Sequence, residues 1–549
     1  MSELTPKDVL ERFDKAKERR NVWESHWQEC YDYALPHRTG FFSGGVAGEK
    51  RADKLFDGTA PDAVDQLAAS MLAHLTPPWA RWFGLTPGPE AEEGQLQAMN
   101  VDLDKASQTL QTHFERSNFS IEMHQCYLDL VTVGSACLLF EEAPPGEASA
   151  FRFSAVPLSQ VMMEEGVSGM LSDTFRRSEV TFDHLRARFP ESQLSADMAN
   201  RTDRNKDERF SIVEAVIENG PRYDYMAVLQ HGYGGTGEPV LLRRGTFAHS
   251  PFIGFRWLKA PGESYGRSPV MKALPDIKTA NKVVELALKN ASIAVTGIWQ
   301  ADDDGVLNPA NIKLVPGTII PKAVGSAGLT PLQAPGSFDL SQVVLEELRK
   351  RIRHALLVDK LGATENKQMT ATEVLERSAE MARILGATYG RLQAELLTPL
   401  VVRALAVLNR RGEVNNLRVD GRYIDLQYKS PLARQQTRKE AQDILAWIQS
   451  LGSLGPEAIG LINPLKTARF LAKAYGVPGE ILKTEDEMAE AAQQAQTSMP
   501  GSGGAVPMPD GAKVPAGVDM NEINKMAQDI MADPQKIQNI MKGLGNAQA

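Results

Sequence analysis

Residues 261–297 read PGESYGRSPVMKALPDIKTANKVVELALKNASIAVTG, a turn-rich approach to a long helix. Ser268 can cap the N-terminus with Pro269 at the first helical position. Pro275 lacks an N–H and clashes with the preceding turn, so a kink or restart is expected there. From Asp276 the pattern is regular: Ile277, Ala280, Val284, Ala287, Leu288, Ala291 and Val295 recur at helical spacing, and Gly297 is a natural left-handed stop. Alanines on this apolar face permit close approach of neighbouring helices. Lys278, Lys282, Glu285 and Lys289 share the opposite face, which is either a solvated face or one turned toward a polyanion.

Beyond Gly297, about forty Gly- and Pro-rich residues are too many for a plain loop. Within them 298–300, 312–315 and 318–321 read as short strands. Asp339 and Gln342 then open a second helix in the manner of a capping box, with Val344, Leu345, Leu348, Ile352, Ala355 and Leu356 as its apolar stripe. Its acids, Glu346 and Glu347, precede its bases, Arg349, Lys350, Arg351 and Arg353, an order that suits the helix dipole. The polar segment KLGATENKQ after Asp359 breaks the helix, and Thr370 with Glu373 caps a third. Val374, Met381, Leu385, Leu392 and Leu396 carry that helix to Thr398, roughly 43 Å at 1.5 Å per residue, where Pro399 is expected to end or kink it. Two helices joined by a β excursion, a polar loop and another long helix describe a rod rather than a catalytic pocket, a shape that suits a ring.

GESYGRS with its helix, and TATEVLERSAEMARILGATYGRLQAELLTPLV, resemble the head-to-tail connector, or portal, proteins of short-tailed, podovirus-like bacteriophages. RRNVWESHWQECYDYALP, LFDGTAPDAVDQLAASMLAHLTPPWARWF and LINPLKTARFLAKAYGVPGEIL are similar to the same family, in the same order along the chain. The resemblance covers about residues 6 to 490 and gives out beyond 495, an ordered extent that isolated motif matches do not reach by chance. It implies an α+β, predominantly helical portal-type fold: an α+β wing over 1–260, stem helices at 261–296 and 339–358, a small β-containing clip at 297–338 between them, a tunnel loop at 359–369, a long helix and wing return at 370–429, a helical crown at 430–490 and a flexible tail at 491–549.

The same resemblance implies a non-enzymatic ring of twelve identical subunits at one capsid vertex of the virion, assembled in the cytoplasm of a host bacterium. Double-stranded DNA would pass through it without sequence recognition. Its other partners would be the major capsid and scaffolding proteins, a packaging ATPase (terminase) and a tail adaptor; no cofactor, metal or membrane enters. The channel residues would be Lys360, Lys367, Thr364 and Asn366 in the tunnel loop and Lys278, Lys282, Lys289, Arg349 and Arg353 on the stem. Read without the family, 359–369 is first an ordinary solvated connection, as most loops of this length are.

Composition agrees with a globular, intracellular chain. At 549 residues and 42% apolar content it can fill sizeable cores. Cys30, Cys126 and Cys137 lack metal-ligand spacing and leave one unpaired, so buried reduced thiols are expected. The N-terminus has no apolar signal core, and the run 396–408 is broken by Pro399 and Arg403. A net charge of −9 weighs against a tight DNA binder but not against a conduit, which would stall a polyanion if it gripped it.

An aromatic-striped helix is expected over 5–35 with Val9, Phe13, Trp23, Trp27 and Tyr31 on one side, and another over 59–75, followed by a buried aromatic turn at Trp79, Trp82 and Phe83. Two helices follow within 102–134. Alternating runs at 136–141, 151–158, 169–177, 209–218, 223–230, 238–243 and 251–258 read as strands. Helix starts at Ser430, Asn463 and Thr484 mark the small helical unit near the end, and the linker-like composition past residue 491 cannot bury a core.

Two enzymatic readings compete. Gly262-Glu263-Ser264-Tyr265-Gly266 matches a hydrolase nucleophile elbow, with HGYGG at 231–235 as an oxyanion loop, His354 downstream and Asp302, Asp303, Asp304 or Asp339 between. An elbow, however, sets its serine on a sharp strand-to-helix turn, whereas here the helix starts only at Pro269. A packaging-motor ATPase needs a phosphate loop, and GGVAGEK fails because Glu49 precedes Lys50 and no Ser or Thr follows.

Overall fold

The computed structural model describes residues 4–38, 40–42, 51–78, 81–90, 96–192, 208–230, 238–296, 299–301, 329–331, 338–358, 385–414, 424–428, 431–452 and 463–475, all within one unit, Met1–Ile481. Its first helix, α1 (Pro6–Ala34), opens on a capping box: the Asp8 N–H donates to Thr5 Oγ1, and Asp8 Oδ2 accepts from the Thr5 N–H. The expected apolar stripe is buried, but against two different partners. Val9, Phe13 and Ala16 pack on a β-sheet, while Trp27, Cys30, Tyr31 and Ala34 enter the main core. Thus α1 ties two otherwise separate apolar clusters together.

The main core is built from α1, α2 (Thr59–Leu75), α3 (Leu96–Arg116), α4 (Phe119–Val133) and a three-stranded antiparallel sheet. In that sheet β2 (Ser135–Glu142) lies between β3 (Phe151–Val156) and β9 (Phe252–Arg256), with Leu138 opposite both Ala155 and Ile253. A five-stranded antiparallel meander stands beside it: β4 (Val161–Glu165), β5 (Leu171–Thr181), β6 (Arg209–Asn219), β7 (Arg222–Leu229) and β8 (Val240–Phe247). One face of the meander takes α1. The other takes α5 (Phe182–Arg188), whose Leu185 packs with Phe210, Ile212 and Leu229. Alternation in the sequence produces this directly, because successive side chains in a strand serve opposite faces.

After the sheets come α6 (Pro269–Thr296), the short strands β10 (Trp299–Ala301) and β11 (Leu329–Pro331), α7 (Phe338–Ala355), α8 (Leu385–Arg411), β12 (Ile424–Tyr428), α9 (Pro431–Gly452) and α10 (Pro464–Tyr475). The architecture is a mixed helix-and-sheet one, as expected. One local expectation is corrected and two are narrowed. Helix α6 runs through Pro275 without a restart. Phe83 is buried but opens β1 (Phe83–Pro87), which pairs antiparallel with β12 across more than 300 residues of chain, so the aromatic segment is a strand edge rather than a turn. Pro399 does not end α8: residues 393–397 widen into a π turn in which the Thr398 N–H and Oγ1 both donate to Gln393 O, the adjustment a missing proline N–H invites. The expected strands at 312–315 and 318–321, the helix from 370 to 384 and the tail from 491 fall outside the described residues.

Among the described residues one helix, α8, is long and apolar enough to cross a membrane by length and composition, yet most of it is buried in this protein, with Leu396, Leu400, Val401 and Leu408 in the main core. Its Arg403 is held between the Phe140 and Phe247 rings and donates to Phe140 O and His249 O. All three cysteines are buried and free. Burial pushes the Cys30 and Cys137 thiols up to about 12 and Cys126 well above its ordinary value. Native protein at pH 8 should therefore resist iodoacetamide, and urea-unfolded protein should take up three labels; modification of any of the three under native conditions would contradict this packing.

Candidate functional site

The α6–α7 helical pair is seated by the GESYGRS loop. Ser268 caps α6 as expected: the Met271 N–H donates to Ser268 Oγ at 2.9 Å, and that hydroxyl donates to Thr132 O of α4 at 2.8 Å. Upstream, the Gly266 N–H donates to Ser135 Oγ at 2.8 Å, and the Met163 N–H donates to the buried Tyr265 hydroxyl at 3.1 Å. Tyr265 also lies edge-on to Trp27, 4.9 Å between ring centroids. These bonds tie the loop to α4, β2 and β4 and fix the start of α6.

Higher on α6, Asn281 clamps the segment before α2. Its Oδ1 accepts from the Phe56 and Asp57 N–H groups at 2.6 and 3.0 Å, and its Nδ2 donates to Lys54 O. Asp57 accepts from the Thr59 N–H and forms an ion pair with Arg349 of α7, Nη2 to Oδ2 2.7 Å. Burial pushes the Asp57 carboxyl up, but the hydrogen bonds from Thr59 and Arg349 outweigh it and hold the group below the usual carboxylate range. Asp276 of α6 pairs with Arg351 of α7 at 3.0 Å. Both helices are thereby fixed to each other and to the body.

Lys278, Lys282 and Lys289 do share one exposed face of α6, and acids accompany all three. Lys278 pairs with Glu29 of α1 at 3.2 Å and lies over the Tyr33 ring. Lys282 and Lys289 both bond Glu285, at 3.0 and 2.6 Å, and those bonds, from Lys289 first, hold its carboxyl below its ordinary value. The strip is net positive but neutralised in part. Arg353 is exposed, whereas Arg349 is turned to Asp57 and so is not grouped with the lysines. Lys360, Thr364, Asn366 and Lys367 lie outside the described residues.

A buried charge node went unread in the sequence. Arg256, at the end of β9, donates through its N–H and Nη2 to Glu395 Oε2 and Oε1, at 2.9 and 2.6 Å. Its Nη1 reaches Ser264 O at 3.0 Å and its Nη2 reaches Gly169 O at 2.9 Å. Glu395 sits in the π turn of α8 and also takes Arg391. A lone acid inside the apolar run LQAELLTPLVV was the available signal, since an unpaired buried carboxylate is too costly to persist.

The surroundings of Ser264 differ from those of a nucleophile elbow. It lies in the loop between Arg256, the last residue of β9, and Pro269, and contributes its carbonyl, not its hydroxyl, to the node. It borders a cleft of about 490 Å³ together with Trp23, His26, Met163, Tyr265 and Arg267. His354 stands exposed in the last turn of α7. HGYGG and Asp302–Asp304 lie outside the described residues, as does the Asp339 side chain. Among the described residues no cluster of three His, Cys, Asp or Glu could hold a metal.

Residues 6–482 match the family described as "Bacteriophage head to tail connecting protein". The chain is similar to the "Probable portal protein" of Bordetella phage BPP-1, 26% identical over 534 residues that cover 90% of this chain and 94% of the relative. It is likewise similar to the "Portal protein" of Salmonella phage epsilon15, at 22% identity over 91% and 93%. Among solved structures, a chain in "Virion of native gene transfer agent (GTA) particle" aligns at TM-score 0.35 and 13% identity, over 79% of this chain and 96% of that one.

Proposed function

Because the chain belongs to the bacteriophage head to tail connecting protein family, we propose that it is a portal: a ring at one capsid vertex through which double-stranded DNA enters during packaging and leaves at ejection. The family match over 6–482 carries this reading. In it twelve copies close the ring, α6 and α7 form the stem, 297–338 form the clip that meets a packaging ATPase and later a tail adaptor, and 359–369 form a tunnel loop. The major capsid and scaffolding proteins surround the vertex, and assembly takes place in the bacterial cytoplasm.

The mechanism that fits these residues is geometric and weakly electrostatic. A conduit must centre a polyanion without holding it, and a chain of net charge −9 with local lysines meets both demands. Glu29 and Glu285 beside Lys278, Lys282 and Lys289 moderate the field of the stem. In the tunnel loop, Lys360 and Lys367 would reach phosphates, with Thr364 and Asn366 as neutral hydrogen-bonding neighbours. Each such lysine acts mainly through counterion release, so its effect repeats around the ring and fades with salt.

Electron-microscopic class averages of the purified protein test the ring: particles with a central hole are expected, and a monodisperse monomer would end the reading. Replacing Lys360 and Lys367 by Ala should leave rings intact while altering DNA packaging or retention in a salt-dependent way. Normal packaging with full retention by that double variant would remove these lysines from the mechanism.

A further inference from the structure

Directly opposite one another on β5, β6, β7 and β8 stand Arg176, Glu214, Ala227 and Arg243, so all four share one face of the meander. It is the face that α5 covers, since Ala227 lies in one apolar cluster with Leu185. Glu214 is 3% exposed. Its Oε1 accepts from Arg188 Nη2 of α5 and from the Tyr225 hydroxyl, both at 2.9 Å, and its Oε2 accepts from Arg188 Nη2 at 3.1 Å. Burial, and after it the Glu214 charge, pushes the Tyr225 hydroxyl up, so it stays a donor. Arg176 has no such bond. Its Nη1 stands 3.9 Å from Glu214 Oε2, too far for a hydrogen bond, and among the described residues no acceptor meets its guanidinium. Only 18% of the Arg176 side chain is exposed, and because Nε is covered the guanidinium meets solvent at its Nη end.

One carboxylate therefore serves two guanidiniums and bonds only one of them, while Arg243 adds a third cation on the same row. A largely covered cation without hydrogen bonds is costly to keep. We propose that this edge of the meander is an oxyanion site, where a phosphate-class anion lies between Arg176 and Arg188 and supplies the charge that Glu214 alone does not. Shared contact with Glu214 brings the two guanidiniums near enough to close on one small anion. Each has donors left for it: Arg188 spends Nη2 on Glu214, and 33% of its side chain is exposed. The class of ligand follows from the donors. A guanidinium fork grips two oxygens through parallel N–H bonds, and two forks call for more than the two oxygens of a carboxylate, which a tetrahedral oxyanion has. The site lies within a single subunit, on the meander and α5, so it stands apart from the ring and from the lysine strip of α6. Filling it would bridge α5 to β5.

Equilibrium dialysis of the full-length protein against radiolabelled inorganic phosphate at low ionic strength should find one phosphate bound per chain. Arg176→Met should weaken that binding at least about tenfold, the scale of a lost charge-assisted bond, and should remove the rise in melting temperature that phosphate gives the parent. Glu214 keeps Arg188 and Tyr225 in this variant, so its fold is expected to survive. Should it not, Arg176→Lys keeps a charge beside Glu214 and loses the fork. That variant should melt with the parent in phosphate-free buffer and still bind phosphate several-fold more weakly. No phosphate bound by the parent, or parent-like binding by either variant, would overturn the site. So would acetate displacing phosphate at equal concentration, which would mark a carboxylate contact or plain charge screening.

Discussion

Glu395→Ala lowers the free energy of unfolding by about 3–5 kcal/mol, the loss expected when one partner of a buried ion pair is removed. Arg256 is 0% exposed and Glu395 3%, so no water replaces the carboxylate for the guanidinium left behind. Four donors lose their acceptor at once: the Arg256 N–H, its Nε and Nη2, and Arg391 Nη1. The two carbonyls that also accept from Arg256, Ser264 O and Gly169 O, cannot neutralise it, and the one other carboxylate recorded beside it, Glu165, stands 3.9 Å from Nη1. Arg256→Met alone should cost less, because Glu395 keeps the Arg391 guanidinium as a charge partner. The double variant Arg256→Met, Glu395→Leu should recover much of the loss, because apolar groups of matched volume need no charge partner. Urea unfolding of these proteins, with Glu395→Leu alone to close the cycle, gives the coupling. A Glu395→Ala protein within about 1 kcal/mol of the parent, the scale of an exposed pair, would show that the node is solvated rather than dry.

The position of that node explains why it matters to the fold. Glu395 lies in the π turn that accommodates Pro399, and Arg256 connects this turn to the β4–β5 hairpin through Gly169 and to the loop before α6 through Ser264. Three segments far apart in sequence are registered by one guanidinium. The planar fork of Arg, with donors in several directions, permits this where Lys would not.

What the sequence made legible was whatever depends on local pattern. The α1 capping box, the Ser268 cap and seven of the strands that alternate over five or more residues lie within a few residues of their expected places. The family resemblance, too, was readable in order along the chain. What escaped depends on pairing between distant segments. Strand β1 has only five residues, FGLTP, and becomes a strand because β12 lies beside it. Strand β4, VMMEE, is short and unalternating, and takes its conformation from β5. Glu29 beside Lys278 and Asp57 beside Arg349 could not be anticipated from helical spacing, since 249 and 292 residues separate the partners. A helical wheel states which side chains share a face; it does not state what the rest of the chain lays against that face.

Gly266→Ala and Gly134→Ala should each destabilise the protein strongly, whereas Ser264→Ala should not, and the contrast decides what the GESYG motif is for. Gly134 ends α4 in the left-handed region, φ 79°, and a Cβ there would stand 2.5 Å from Gly266 O. A Cβ on Gly266 would come closer still to Gly134 O, with Arg256 Cβ at 3.0 Å behind it. The obstacles are mostly backbone, so no side-chain rotation relieves them. Left-handed strain of about 1–2 kcal/mol and overpacking of about 1–3 kcal/mol together put Gly134→Ala at about 2–5 kcal/mol, and overpacking alone puts Gly266→Ala at about 1–3 kcal/mol or more. Both substitutions force apart the loop that carries the Ser135–Gly266 and Ser268–Thr132 bonds, so amides in the first turns of α6 should lose hydrogen-exchange protection before the sheets do. Ser264 offers the fold only its carbonyl, which alanine keeps, and its variant should stay within about 0.5 kcal/mol of the parent. A nucleophile elbow would add an effect to this pattern: Ser264→Ala, while still leaving stability alone, would abolish a measurable ester hydrolysis. Detection of that hydrolysis in parent protein and its loss in Ser264→Ala would make the loop a catalytic element, while a tolerated Gly266→Ala would show that the two backbones do not meet as closely as Gly134 and Gly266 do here.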